Sequence, residues 1–152
     1  LLVSLVREVP RHGRPSLKFA FTVGEETGQW GAEAIDPAFF EGVDFAISCD
    51  RHGASDIVTH SSWYEYGSEA FGRFLERAIR RGDHEVEPYA VCQGGISDLR
   101  VWALDYGIES ANLSIGYYDE HTDWESLNIA EWTNALGAVR NILQLSNRFP
   151  QA

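Results

Sequence analysis

The chain has 152 residues, 44% hydrophobic and 12% aromatic, enough to bury one core of ordinary globular size and too few for two typical domains. A formal net charge of -11 argues against a phosphate-backbone partner, since nucleic-acid binding needs a clustered basic footprint. No stretch approaches the roughly 20 apolar residues a membrane helix requires, and no basic-then-apolar leader opens the chain, so the expectation is a cytoplasmic protein without membrane partners.

The bases are nearly all arginine, with Lys18 the only lysine, and the acids are spread along the chain, as on a well-hydrated surface. Cys49 and Cys92 each sit in an apolar or strand-like context with no second cysteine at metal-ligand spacing, and read as reduced, buried thiols. Nothing in the composition fixes the oligomeric state, and a homo-oligomer stays open.

Leu2, Leu5, Val6 and Val9 recur at helical spacing, and Pro10, His12-Gly13 and Pro15 stop that helix. Leu17 to Val23 (LKFAFTV) and Val43 to Cys49 (VDFAISC) are apolar, β-branched and aromatic runs that read as central strands, separated by a helical insert containing Pro37. Asp56 to His60 (DIVTH) is a third short strand. Phe71, Phe74, Leu75, Ala78 and Ile79 then mark an amphipathic helix that ends at Gly82. Val86 to Val91 returns to strand, and Gly94-Gly95 makes a turn. Ser97 is an N-cap for a helix through Tyr106, with Gly107 as its stop, and Glu109 to Ile115 is a strand. A long helix over about Leu127 to Leu145 closes the chain. The alternation predicts an α/β three-layer sandwich with a mainly parallel central sheet and helices on both faces.

In such sheets the chemistry gathers beyond the carboxyl ends of strands. Glu25-Glu26 follows LKFAFTV, with Gly24 and Gly28 permitting a tight turn; Asp50 ends the strand VDFAISC; His121 follows the strand Glu109 to Ile115 through the loop Gly116-Tyr117-Tyr118-Asp119-Glu120. Carboxylates with imidazole suit Zn²⁺, Mn²⁺ or Co²⁺. Taken one by one, these residues fit better as an exposed acidic turn, a cap and a hydrogen-bonded loop histidine.

Four segments taken together resemble one family. FTVGEETGQWGAEA is similar to the strand-Glu-Glu-x-Gly-x-x-Gly-Ala segment of dizinc aminopeptidases of the glutamyl and deblocking type, which belong to the zinc-dependent exopeptidase superfamily. ISCD, ending at Asp50, resembles that family's strand with a metal-ligand Asp. GGISD, Gly94 to Asp98, resembles its Gly-Gly-x-Ser/Thr-Asp turn, and LSIGYYDEHTDWE, Leu113 to Glu125, its Leu-Ser-x-Gly-Tyr and His-Ser/Thr-x-x-Glu segments. The order is the family's, and the four cover most of the chain.

The resemblance implies a zinc-exopeptidase fold in which residues 1-152 are the C-terminal portion of one metallopeptidase catalytic domain, its N-terminal part missing. It implies two divalent metal ions, zinc first, with cobalt or manganese as alternatives. Glu25 resembles the general base, Glu26 and His121 the ligands of one metal, and Asp50 a ligand of the second. Asp98, Tyr117 and Glu125 resemble residues that contact substrate or support the ligands. The family's upstream His-x-Asp motif and bridging Asp have no counterpart before Glu25, so half of a dimetal site is expected here. The implied activity is zinc-dependent release of N-terminal residues from a peptide substrate. The alternatives are a carboxypeptidase, an N-acyl amino acid deacylase of the same superfamily, or a non-catalytic domain without the upstream ligands. Asp119 and Glu120 read either as negative charge offered to a substrate α-ammonium or as solvated loop acids. Trp30, Tyr117, Tyr118 and Trp124 are candidates to line a side-chain pocket, although aromatics near a sheet end commonly serve packing.

Overall fold

The computed structural model describes residues 1–8 and 17–149. Its centre is a four-stranded sheet of β1 (Phe45–Arg51), β2 (Asp56–His60), β3 (Ala90–Gln93) and β4 (Glu109–Ser114), in the order β1-β4-β2-β3. β1 and β4 are parallel, β4 and β2 antiparallel, β2 and β3 parallel, so the sheet is mainly parallel as expected.

Strand alternation sends Phe45, Ile47 and Cys49 of β1 to one face and Ala46 to the other. On the first face Ile57, Ala111 and Leu113 meet Leu5 of α1 (Leu2–Glu8), Phe71, Leu75 and Ile79 of α3 (Glu69–Arg81), and Leu136, Val139 and Ile142 of α5 (Ile129–Leu145). On the second, Ile108 meets Ala32 of α2 (Trp30–Glu33), Phe40, and Leu99, Val101 and Trp102 of α4 (Leu99–Tyr106). Helices therefore cover both faces, giving the three layers. No helix among the described residues is long and apolar enough to cross a membrane.

The caps explain where the helices start. Ser68 accepts from the Phe71 amide at the head of α3, while Glu69 in the first turn and Arg80 and Arg81 in the last complement the helix dipole. Asn128 accepts from Ala130 and Glu131 at the head of α5. Ser97 Oγ accepts from the Leu99 amide at 3.4 Å, one residue outside the Asp98 cap position of α4.

Two expected strands differ. Leu17 to Val23 is not a strand. Phe19 and Ala20 still point to opposite cores, as strand neighbours do, but the segment enters no ladder among the described residues. Lys18 Nζ instead donates to the carbonyls of Phe39 and Glu41. Within Val86 to Val91 only the end is strand. Pro88 has no amide to donate, and the Glu87 amide is taken by the Asn134 side chain of α5 at 2.7 Å, so a helix satisfies this backbone. The stop expected for the first helix, from Val9 to Pro15, lies outside the described residues.

Candidate functional site

A cleft of about 480 Å³ is lined by Glu25, Glu26, Asp50 and His121, together with Gln29, Arg100, Tyr117 and Glu120. An adjoining hollow of about 430 Å³ shares Glu26, Asp50, Tyr117, Glu120 and His121 and adds Glu125. The structure thus gathers the four residues singled out in the sequence from three separate segments.

Asp50 is delivered by backbone pairing. It is the sixth residue of β1, at a point where the β1–β4 register shifts, so its own backbone groups are free of the ladder. Asn112 of β4 satisfies them instead: its Oδ1 accepts from the Asp50 amide at 3.0 Å, and its Nδ2 donates to the Asp50 carbonyl at 3.2 Å. Beyond the strands the pairing continues, with Ile115 donating to Arg51, Gly53 to Tyr117 and Gly116 to Gly53.

His121 is carried at the tip of a small hairpin, β5 (Tyr117–Tyr118) against β6 (Ser126–Leu127). Asp119 and His121 adopt φ of 55° and 64°, a left-handed conformation costly for residues with a Cβ and concentrated at functional sites. Thr122 Oγ1 donates to the Asp119 carbonyl at 2.6 Å, and Glu125 accepts from the His121 amide at 3.4 Å. The carboxylate of Glu120 engages His52 Nδ1, which ties the hairpin tip to the segment after β1.

Glu25 and Glu26 arrive differently, on a 3₁₀ turn over Glu25–Thr27 that follows the unladdered arm. Gly28, at φ 128°, closes the turn in a conformation that side chains rarely tolerate. A Cβ on Gly31 would lie 2.4 Å from the Val23 nitrogen, so only glycine lets α2 pack against the arm, where its amide donates to the Val23 carbonyl at 2.8 Å. Side chains complete the attachment. Thr22 donates to Asp98, Gln29 donates through Nε2 to the Ser97 carbonyl, and Arg100 Nε donates to Gln29 Oε1 at 2.9 Å. Arg100 also faces Glu33 at 3.6 Å.

The electrostatics follow from four crowded carboxyls. Partial burial, with the charges of Glu26, Asp50 and Asp98, pushes Glu25 up from 4.5 to about 7, against the opposing pull of His121. Desolvation and the charges of Glu26 and Asp98 raise Asp50 above the usual carboxylate range. Burial also raises Asp98, despite its bond from Thr22, and Tyr117 is lifted to about 12 by desolvation and the acids around it. A site that disfavours its own negative charge is one that a cation relieves.

The donor chemistry fits a divalent ion. Glu26 Oε1 and His121 Nε2 stand 3.1 Å apart. Two ligands at ~2.0–2.2 Å from a tetrahedral ion would be separated by ~3.3–3.6 Å, so a small opening of this pair accommodates one. Asp50 lies across the same cleft. Among the described residues no group of three or more His, Cys, Asp or Glu converges tightly enough to hold an ion, so Glu26, Asp50 and His121 do not make one closed three-ligand set. The division implied by the resemblance, two ligands for one ion and one for another, needs no such set.

The supporting residues separate. Tyr117 lines both hollows, and its hydroxyl donates to the Asp50 carbonyl at 3.4 Å; Glu125 backs His121. Asp98 is buried behind the cleft. Its Oδ2 is bonded to Thr22, and its Oδ1 has no partner among the described residues. The aromatic pocket reduces to Tyr117: Trp30 folds onto the Glu25–Gly28 turn, Tyr118 bonds Glu131 at 2.6 Å, and Trp124 is 82% exposed, none lining either hollow. The sequence reading overlooked Gln29, His52 and Arg100. Arg100 carried a signal, since a cation in the first turn of a helix opposes the dipole and needs an external partner. Gln29 and His52 carried none.

No protein-family model matches the chain, and no curated protein matches it. Among solved structures it is similar to the crystal structure of aminopeptidase PepT from Bacillus cereus ATCC 10987, with a TM-score of 0.65 and 16% sequence identity over 81% of this chain. The chain spans 62% of that chain's length. At that identity the likeness establishes the fold, a mixed α/β architecture of the PepT kind.

Proposed function

We propose that this protein is a metal-dependent peptidase that releases N-terminal residues, with Glu25 as general base, Glu26 and His121 as ligands of one divalent ion and Asp50 as a ligand of a second. The observation that carries the reading is the convergence of these four side chains on one cleft, with Glu26 and His121 in contact at 3.1 Å. The likeness of fold to an aminopeptidase agrees with it.

Divalent ions held there, zinc first by donor set, supply Lewis acidity that acidifies a water and polarises a carbonyl. Glu25 takes the proton of the attacking water and returns it to the leaving amine as the C–N bond breaks. Burial and the neighbouring acids raise the Glu25 carboxyl in the metal-free cleft, which favours its taking up a proton. Glu120, on the cleft wall and held below the usual carboxylate range by a backbone hydrogen bond and by His52, offers a negative charge to the substrate α-ammonium.

The test is product analysis of the natural full-length protein after zinc loading, on free-amine dipeptides and their N-acylated counterparts. Cleavage of the free-amine substrates is expected. Cleavage of the acylated compounds alone contradicts the aminopeptidase assignment, and no cleavage with no bound transition metal contradicts the peptidase reading altogether.

A further inference from the structure

We infer that Gln29 is a positioning residue for the carboxylate turn: it clasps Glu25 and Glu26 to the segment after β3, and so sets where the general base stands. The inference rests on the peptidase reading of the cleft.

Gln29 is 6% exposed and uses both ends of its amide, Nε2 to the Ser97 carbonyl and Oε1 from Arg100 Nε. Its backbone is as fully engaged. The amide donates to the carbonyls of Gly24 at 2.9 Å and Glu25 at 3.2 Å, and the carbonyl accepts from Glu33 at 3.0 Å. Its φ of 61° is the left-handed conformation, unfavourable for glutamine and suited to glycine or asparagine. A residue chosen only to close this turn would be one of those two. A glutamine there implies that the side chain's reach matters, because it spans from the turn to a different segment of the chain.

The location makes that reach consequential. Leu17 to Val23 has no ladder to hold it among the described residues, so Glu25 depends on side-chain attachments for its place in the cleft. Of these, Thr22–Asp98 lies before the turn and Gln29 immediately after it. Releasing Gln29 frees the end of the turn that faces Ser97 and Arg100. A displacement of about 1 Å at a catalytic group costs on the order of 10²-fold in rate.

The experiment measures kcat and KM on an aminoacyl anilide for the zinc-loaded full-length protein carrying Gln29→Asn, which suits the backbone but is one methylene too short to reach. The expected result is a fall in kcat of about 10- to 100-fold with KM changed by less than about twofold. In a Glu25→Gln background the same substitution should cost much less than it does alone, because the base it positions is already gone and only the placement of Glu26 is left to disturb. Asp36→Ala, which removes a cap on the Ala38 amide away from the cleft, should lower the melting temperature without lowering kcat. If Gln29→Asn does not fold, Gln29→Gly keeps the backbone conformation, lacks the side chain, and is read the same way. Unchanged kcat, a rise in KM alone, or full additivity with Glu25→Gln overturns the inference.

Hydrogen exchange at the amides of Thr27 to Gly31 separates this inference from the function beneath it. An inactive wild type overturns the peptidase reading, and the clasp is then judged by exchange alone. Faster exchange of these amides in Gln29→Asn supports it, and unchanged exchange overturns it.

Discussion

The two walls of the cleft are built by different means. Asp50 and His121 stand on the β1–β4 side, where strand pairing continues through Arg51, Gly53 and Gly116 and the β5–β6 hairpin frames the loop. Glu25 and Glu26 stand on an arm that enters no ladder among the described residues, fixed by Thr22, Gln29 and the close approach of Gly31. A ladder shares its load over many backbone bonds, whereas a clasp concentrates it in a few side chains. Single substitutions should therefore trade stability against turnover differently on the two walls.

The largest stability effect should come from Gly31→Ala on the arm. Its Cβ would meet Val23 backbone at 2.4 and 2.7 Å, so α2 must move away, at about 3 kcal/mol, the upper end of the overpacking range. Turnover should fall with stability, because the carboxylate turn lies between the displaced elements. Thermal melts and kcat on the same preparation check this; a destabilised but fully active variant would break the comparison.

Asn112→Ala on the ladder wall should cost about 2 kcal/mol, since it strands the Asp50 amide and leaves the Asp50 carbonyl only the long bond from Tyr117. Pairing on either side, Ser48 with Asn112 and Arg51 with Ser114, still holds the Asp50 backbone in place. Denaturant unfolding should register the loss while kcat stays within about threefold of wild type, because the flanking ladder keeps Asp50 in place. A collapse of turnover would show that Asp50 is as dependent on one side chain as Glu25 is.

The smallest effect is on pH dependence. Without metal, Glu25 folds with a value of about 7 against an ordinary 4.5, and Asp50 and Asp98 are raised as well. A group raised on folding contributes stability that is fully present below its unfolded value and is lost as pH rises through its folded value. The melting temperature of the metal-free protein should therefore rise as pH falls from about 8 toward 5. A melting temperature that falls over that range contradicts the electrostatic description of the cleft.

Much of this was legible in the sequence because hydrophobic period and strand-end position are local signals. The strands at Asp56 to His60 and Glu109 to Ile115, the helix ending at Gly82 and the stop at Gly107 all follow from spacing and caps. Leu17 to Val23 has the composition of a strand, and Phe19 and Ala20 behave as strand residues, but a ladder requires a neighbour that composition does not supply. At Val86 to Val91 a tertiary contact with α5 overrode β propensity. The convergence of Glu25, Glu26, Asp50 and His121 was anticipated through the joined motifs, whereas Gln29 and His52 act through contacts 68 residues distant in sequence that no local pattern encodes.

The central claim assigns adjacent carboxylates different work, and the most direct measurement is zinc stoichiometry with turnover of an aminoacyl anilide for Glu25→Gln and Glu26→Gln in the full-length protein. Glu25→Gln keeps the side-chain volume but removes the proton acceptor, so zinc should be retained while turnover falls by about 10²–10⁴-fold. Glu26→Gln weakens a ligand, so zinc content and turnover should fall together and added zinc should restore part of the rate. Loss of metal from Glu25→Gln, or near-normal turnover in that variant, would contradict the account.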